Sequence, residues 1–412
     1  MRTVVNFLFI HGNYPAQFRH LIASLGTQPE HRVVFLTARD DADTEPIAGV
    51  EIKTYALHRP ASESTHHYLI DTEVAVLHGQ AVLRAIDTIS DFRPDVVVTH
   101  AGMGMGLFIK EFMPDCLHVG YFEWYFQSKT AKYLSADNSL DFFLRIGMRN
   151  LPILLELEKC DVAIVPTEWQ KSQFPSCYAS KINVVFDGID SRFFYPNSAN
   201  LRQENMLIHN RDTHEPFLIS KDNIVISYAT RGMEPLRGFP EFLLSLPRLL
   251  SDDSSLIAII AGADRRAYSF DAPSHEGSWK NHLLSSLGNF KGRDRVYFTG
   301  LLDYSDYRSL LWRTDLHCYF TRPYVTSWSF FEACMSGAYL ASNKNGATDG
   351  IGVDETIAWV DLDNQDILAE QLSKALYSSE KKRSVIRDGF TLDQGLQRWG
   401  QILNQSLSKR SL

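Results

Sequence analysis

The segment DVVVTHAGMGMGLFIKEF, residues 95–112, decides the fold class. Three consecutive valines with no polar alternation describe a strand covered on both faces. A glycine-rich turn follows, and residues 106–112 return at helical spacing. A doubly buried strand that passes straight into a helix is the repeating unit of a parallel sheet with helices on each side.

The same alternation extends in both directions. Strands are expected at residues 4–10, 32–37, 95–99, 117–121, 162–165 and 182–186, with helices at 17–25 and 73–89. Residues 191–222 are rich in Asn, Arg, His and Asp and lack periodicity, so they read as a linker or surface insertion. The pattern then restarts with strands at 224–229, 256–261, 296–299, 316–320 and 339–342, the last closing the series. Helices are expected at 238–250, 304–312, 328–335, 365–376, 379–388 and 393–406, and residues 264–278 read as irregular. The fold class is therefore α/β, with two doubly wound Rossmann-like domains facing a cleft. The expected divisions are residues 1–195, a linker at 196–222, and a second domain at 223–392. Ligands of such sheets bind beyond the carboxyl ends of the strands, so motifs at strand-to-helix turns carry most weight.

A chain of 412 residues fits two large domains at ~150 residues each. The net charge of −8, with both signs interspersed, argues against nucleic acid as partner. Cys116, Cys160, Cys177, Cys318 and Cys334 are scattered and lack CxxC spacing, which reads as reduced thiols in a cytosolic protein without structural zinc. The apolar run after Arg2 is only about eight residues and ends in a turn, so it reads as a first strand rather than a leader. No segment approaches the ~18 apolar residues of a membrane span. The expected location is the cytoplasm, with peripheral association at the inner membrane face.

Five motifs carry candidate chemistry. His11-Gly12-Asn13-Tyr14-Pro15 follows the first strand, where glycine lets backbone approach a ligand. The plain alternative is an ordinary strand-to-helix turn. Gly102, Gly104 and Gly106 are spaced GxGxG rather than GxGxxG, so they read as a loop and not a dinucleotide fingerprint. Gly120 to Phe126 sets Glu123 among five aromatic residues, a candidate base or charge stabiliser unless it merely edges an aromatic core. Thr230 to Phe239 carries Arg231 and Arg237 six apart around a turn. A diphosphate calls for such permanently charged, multi-donor groups. Arg322 to Gly337 opens a helix at Ser327-Trp328-Ser329. Its start suits phosphate oxygens, and Glu332 one turn on can accept paired bonds from ribose hydroxyls. An acid flanked by Phe331, Ala333 and Cys334 usually has a partner. His66-His67 and Asp40-Asp41-Ala42-Asp43 look like metal ligands but read as solvated loops, so no metal is expected.

These residues resemble the retaining glycosyltransferases of family 4, with the GT-B fold. The resemblance rests on FIHGNYPAQFRHL near the start, VVFDGIDSRFFYP at 184–196, YATRGMEPLRGFPEF at 228–242, VYFTGLLDYSDYRSLL at 296–311 and SWSFFEACMSGAYLAS at 327–342. It implies that Arg231 and Arg237 bind the donor diphosphate, Glu332 holds the ribose, and Gly12 approaches the donor. It also implies a C-terminal helix, residues 393–412, crossing back to the first domain. The donor is then a UDP- or GDP-sugar bound as substrate, with no cofactor, and the acceptor a glycan, a lipid-linked saccharide or a protein. The family's earlier glutamate falls at Tyr324 here, and its N-domain histidine has no match beside Glu123 except His118, inside a strand. A nucleotide-sugar epimerase of the same fold and a non-catalytic nucleotide-sugar-binding protein are the competing readings.

Overall fold

The computed structural model describes residues 4–197, 204–210, 215–270 and 277–410. The chain forms two compact units. One comprises Met1–Ala131, Asp137–Gly188 and Thr391–Leu412, and the other Lys132–Ala136 and Ile189–Phe390.

The first unit is built on seven strands: β1 (Val5–His11), β2 (His31–Thr37), β3 (Val50–Thr54), β4 (Val96–His100), β5 (Leu117–Tyr121), β6 (Val162–Val165) and β7 (Ile182–Val184). They lie in the order β3-β2-β1-β4-β5-β6-β7, and every pairing is parallel. Phe9 stands between Phe35 of β2 and Val98 of β4. Alternate residues feed opposite core layers, as the pleat requires. Phe7, Phe9, Phe35 and Val98 pack with Trp399, Ile402 and Leu403 of the Leu392–Arg410 helix. Leu8, Ile10, Val34 and Val97 pack against Val82 and Ile86 of the Ile70–Asp87 helix. The C-terminal helix thus returns to the first unit and closes one face of its sheet; residues 411–412 of the expected 393–412 lie outside the described residues. The strand order reverses direction between β1 and β4, which brings the carboxyl ends of both strands to one edge of the site described below.

The second unit carries a six-stranded parallel sheet of β10 (Ile224–Gly232), β11 (Leu256–Ala263), β12 (Val296–Gly300), β13 (Leu316–Tyr319), β14 (Leu340–Asn343) and β15 (Ile357–Val360), ordered β12-β11-β10-β13-β14-β15. Its core joins Ile226, Tyr228, Ala258 and Ile260 of the central strands to Phe242, Leu246 and Leu250 of the Phe239–Asp252 helix.

Several expectations are corrected. The helix expected at 379–388 is absent: Ile386 forms an antiparallel bridge with Gly352, and Ser384 donates to the carbonyl of Ala338, so long-range bonds override the local pattern. The strand series continues past Asn343 to β15. The helix expected at 106–112 shortens to Ile109–Phe112. Residues 191–222 are not structureless where described, because β8 (Met206–His209) and β9 (Pro216–Ile219) form an antiparallel hairpin. It is fastened to the second unit by Asn210 Nδ2 donating to the Phe298 carbonyl and by Phe217 stacked on Tyr297. Strand β3 and the helices Leu140–Met148, Asn150–Lys159 and Trp279–Leu287 also went unanticipated. Residues 198–203, 211–214 and 271–276, within the two stretches read as irregular, lie outside the described residues.

Candidate functional site

In the second unit, Arg237 ends a single 3-10 turn after β10 and is almost fully buried. Gly238 takes φ +64°, and a Cβ there would lie 2.5 Å from the Phe320 Cβ, so only glycine lets the next helix start directly behind Arg237. Arg237 Nη1 donates to Thr321 Oγ1 at 2.8 Å and to the Val325 carbonyl at 2.9 Å. Its Nε and Nη2 make no hydrogen bond among the described residues. The guanidinium also lies over the Tyr268 ring, 5.2 Å from its centroid, and Tyr268 packs on Tyr324 at 5.8 Å. Tyr324, where the resemblance expects glutamate, therefore joins an aromatic wall beside the arginine.

The loop gripped by Arg237 leads into the Trp328–Met335 helix. Ser327 caps it, its Oγ accepting from the Ser329 amide and the Ser329 hydroxyl. The Ser327 amide donates to Tyr319 Oη, and the Phe330 amide to the Ser327 carbonyl. These three amides are thereby bonded within the chain. The helix start offers an anion the Ser327 hydroxyl, held in place by Ser329, and the partial positive charge of the helix end. Trp328 is half-buried at this start.

Glu332 sits one turn deeper and is only 5% exposed. Its carboxyl forms no hydrogen bond or ion pair among the described residues. Burial pushes it up to about 8. A buried acid without a partner is costly and unusual in a core, so this one is available to a ligand.

Arg231 is exposed at the end of β10, and its guanidinium has no partner among the described residues. The structure joins Arg237 to the helix opened by Ser327 but forms no bond between Arg231 and either. Glu234 was not singled out from sequence. Its Oε2 accepts from the amides of Ala267, Tyr268 and Ser269 at 3.0, 3.0 and 2.8 Å. This internal carboxylate fills an anion nest and holds Tyr268 under Arg237. Nothing in the sequence near Glu234 points to amides more than thirty positions away.

In the first unit, Glu123 stands at the carboxyl side of β5 with a side chain 29% exposed. Gln17 Nε2 donates to Glu123 Oε1 at 2.6 Å, and His100 Nε2 lies 3.2 Å from Glu123 Oε2. Gln170 Nε2 donates to the Glu123 carbonyl at 2.7 Å, fixing the backbone. His11 and His100, at the ends of β1 and β4, have ring centroids 4.3 Å apart. Burial, with His100 adding repulsion, holds His11 well below the usual imidazole range, so it is neutral. His118 does not join this group. It is fully buried, bonded to Thr99 Oγ1, and burial pushes it down to about 3. His100 was legible only as the last residue of its strand.

Gly12 lies beside this cluster. Neither its φ nor crowding demands glycine, since a Cβ would meet the Met103 methyl at 3.6 Å, an ordinary contact. His67 Nε2 lies 3.2 Å from Asp141 Oδ1. Among the described residues no three His, Cys, Asp or Glu side chains gather as a metal site. Cys116, Cys160, Cys318 and Cys334 are buried free thiols and Cys177 is exposed. No described helix is long and apolar enough to cross a membrane.

The chain matches the family model of a glycosyl transferase family 4 group over residues 29–194. Comparison with curated proteins gave no match. Among solved structures it is similar to sucrose-phosphate synthase from Thermosynechococcus elongatus, with TM-score 0.68 and 14% identity over 98% of this chain and 100% of that one. An Escherichia coli trehalose-6-phosphate structure bound with UDP-2-fluoro glucose gives 0.59 and 12% over 98% and 95%. A putative UDP-N-acetylglucosamine 2-epimerase from Listeria monocytogenes gives 0.55 and 14% over 98% of each chain. These likenesses establish the fold: two parallel-sheet α/β domains of the GT-B type.

Proposed function

We propose that this protein is a retaining glycosyltransferase that moves a sugar from a UDP- or GDP-sugar to a hydroxyl of a glycan, lipid-linked or protein acceptor. The observation that carries the reading is Glu332: a buried acid with no partner among the described residues, on the helix that Ser327 opens and beside a loop held by Arg237. A ribose diol supplies the two donors that such a carboxylate lacks. The uncommitted Nε and Nη2 of Arg237, the free guanidinium of Arg231 and the Ser327 and Ser329 hydroxyls then meet the diphosphate. Charge develops on that diphosphate as the glycosidic bond breaks, and preorganised cationic donors stabilise it without reorganisation. Two guanidinium groups can serve in place of a divalent cation, so the proposed reaction is metal-independent and takes no cofactor. UDP is the favoured nucleotide, because the Escherichia coli fold neighbour is bound with a UDP-sugar. Retention of configuration and the role of Gly12 at the donor follow from the family 4 resemblance. The buried reduced thiols support a cytosolic setting, and docking at the inner membrane face is part of the same proposal.

The likeness to an epimerase fold keeps one second reading in play, in which the same pocket isomerises the sugar without an acceptor. Incubation with radiolabelled UDP- and GDP-sugars, with and without a panel of saccharide acceptors, separates the two. Nucleoside diphosphate released only when an acceptor is present supports transfer. An isomerised sugar formed without acceptor establishes the second reading instead, and no turnover under either condition refutes both.

A further inference from the structure

The strongest arrangement that the donor pocket does not use is a directed chain of hydrogen bonds in the first unit. It begins in the turn after β1, where the Asn13 amide donates to His11 Nδ1 at 2.8 Å. An amide nitrogen can only donate, so Nδ1 must carry the lone pair. The ring is neutral, so its single proton is on Nε2. That proton faces Gln17 Oε1 at 3.0 Å. The Gln17 amide is then oriented from both ends: its oxygen accepts from His11, and its nitrogen donates to Glu123 Oε1. Every link points the same way, from the Gly12-Asn13 turn to one oxygen of one carboxylate.

The other end of that carboxylate is equally defined. Glu123 Oε2 lies 3.2 Å from His100 Nε2, and neither ring nitrogen of His100 makes an aligned hydrogen bond. His100 and His11 are buried while Glu123 is the partly exposed tip of the group. A ligand approaching this surface therefore meets the carboxylate, with histidines and amide as its foundation. Trp124 and Trp169, rings 6.2 Å apart, lie on the elements that carry Glu123 and Gln170. A carboxylate oxygen accepts from a hydroxyl, and hydroxyl donors in a ring are what a saccharide presents.

We infer that His11 and Gln17 are positioning residues that hold Glu123 as a hydroxyl acceptor for a saccharide and tie its orientation to the Gly12-Asn13 turn. One oxygen is committed to Gln17, and the other is presented beside His100. The identity of the saccharide rests on the transferase reading; the hydrogen-bond chain does not. A cooperative chain of this kind strengthens each link, so a change at one end is felt at the other.

The test uses the full chain labelled with 15N-histidine, alone and as the Gln17→Leu and Glu123→Gln variants, with His11→Gln to assign the resonance. In the wild type, burial keeps His11 neutral with its proton on Nε2 at neutral pH. The proposal predicts that Glu123→Gln, which does not touch His11, shifts the His11 Nε2 resonance, because Gln17 transmits the change. A His11 resonance unmoved by Glu123→Gln overturns it, whether or not the protein turns over any nucleotide sugar. If transfer is observed, Gln17→Leu should lower acceptor kcat/KM by up to about 10²-fold while donor KM stays within about twofold, as misplacement of one reacting partner does. Equal losses for donor and acceptor would mark a general structural defect and count against it.

Discussion

The buried Arg237 guanidinium, lying over the Tyr268 ring, donates through Nη1 to the Val325 carbonyl at 2.9 Å. One side chain thus fixes the loop that opens the Ser327 helix and presents its remaining donors beside it. Arg237→Ala therefore affects more than a ligand. It removes the donor to the buried Thr321 hydroxyl and to the partly buried Val325 carbonyl, which costs ~1–3 kcal/mol. Chemical denaturation should show that loss. Arg231→Ala, at an exposed position without partners among the described residues, should leave stability within about 0.5 kcal/mol and weaken nucleoside diphosphate binding alone. Equal stability losses in both variants would contradict this division.

Nucleotide binding should release a proton. Burial raises the Glu332 carboxyl to about 8, so the unliganded protein carries it largely protonated at neutral pH, whereas a ribose diol favours the ionised form. Affinity should rise as pH approaches about 8, and calorimetry in buffers of different ionisation enthalpy should count the proton. The folded value lies above the ordinary 4.5, so the folded chain binds more protons between the two. Its stability from this group is complete below the ordinary value and declines as pH rises through about 8. Glu332→Gln should remove that decline, gaining on the wild type as pH rises from about 5 to about 9. Thermal melts across this range check the sign.

Gly12→Ala should fold as well as the wild type, within about 0.5 kcal/mol, because its Cβ has room against Met103. If the turn approaches the donor, activity should still drop by an order of magnitude or more. A fully active alanine variant would remove Gly12 from the site.

Trp399 is 4% exposed in the core of the first unit, although it lies on the C-terminal helix. Trp399→Ala should cost about 3–5 kcal/mol, and the loss should appear in the melting of the first unit. A variant as stable as the wild type would mean that this helix is dispensable.

Much of this architecture was legible because doubly buried strands write continuous apolar runs. Leu117–Tyr121 and Val162–Val165 were placed to the residue, as was the Trp328–Met335 helix with its serine cap. The edge strand Val50–Thr54 was missed because it is only partly buried and reads as polar. Ser384 and Ile386 were drawn out of a helix by partners dozens of positions away. The same limit applies to the sites. Arg231, Arg237, Ser327 and Glu332 were picked out by local pattern. Glu234, His100 and Gln17 act through contacts that only the folded sheet creates.

Glu332 is proposed to grip the ribose of the donor. Calorimetric titration of UDP and GDP, each against its 2′,3′-dideoxy form, tests it most directly in the wild type and in Glu332→Ala. The wild type should prefer the ribose form by about 10- to 100-fold, as expected for hydrogen bonds to a charged group, and the variant should lose that preference while still binding the diphosphate. A preference for ribose that survives in Glu332→Ala would contradict the assignment.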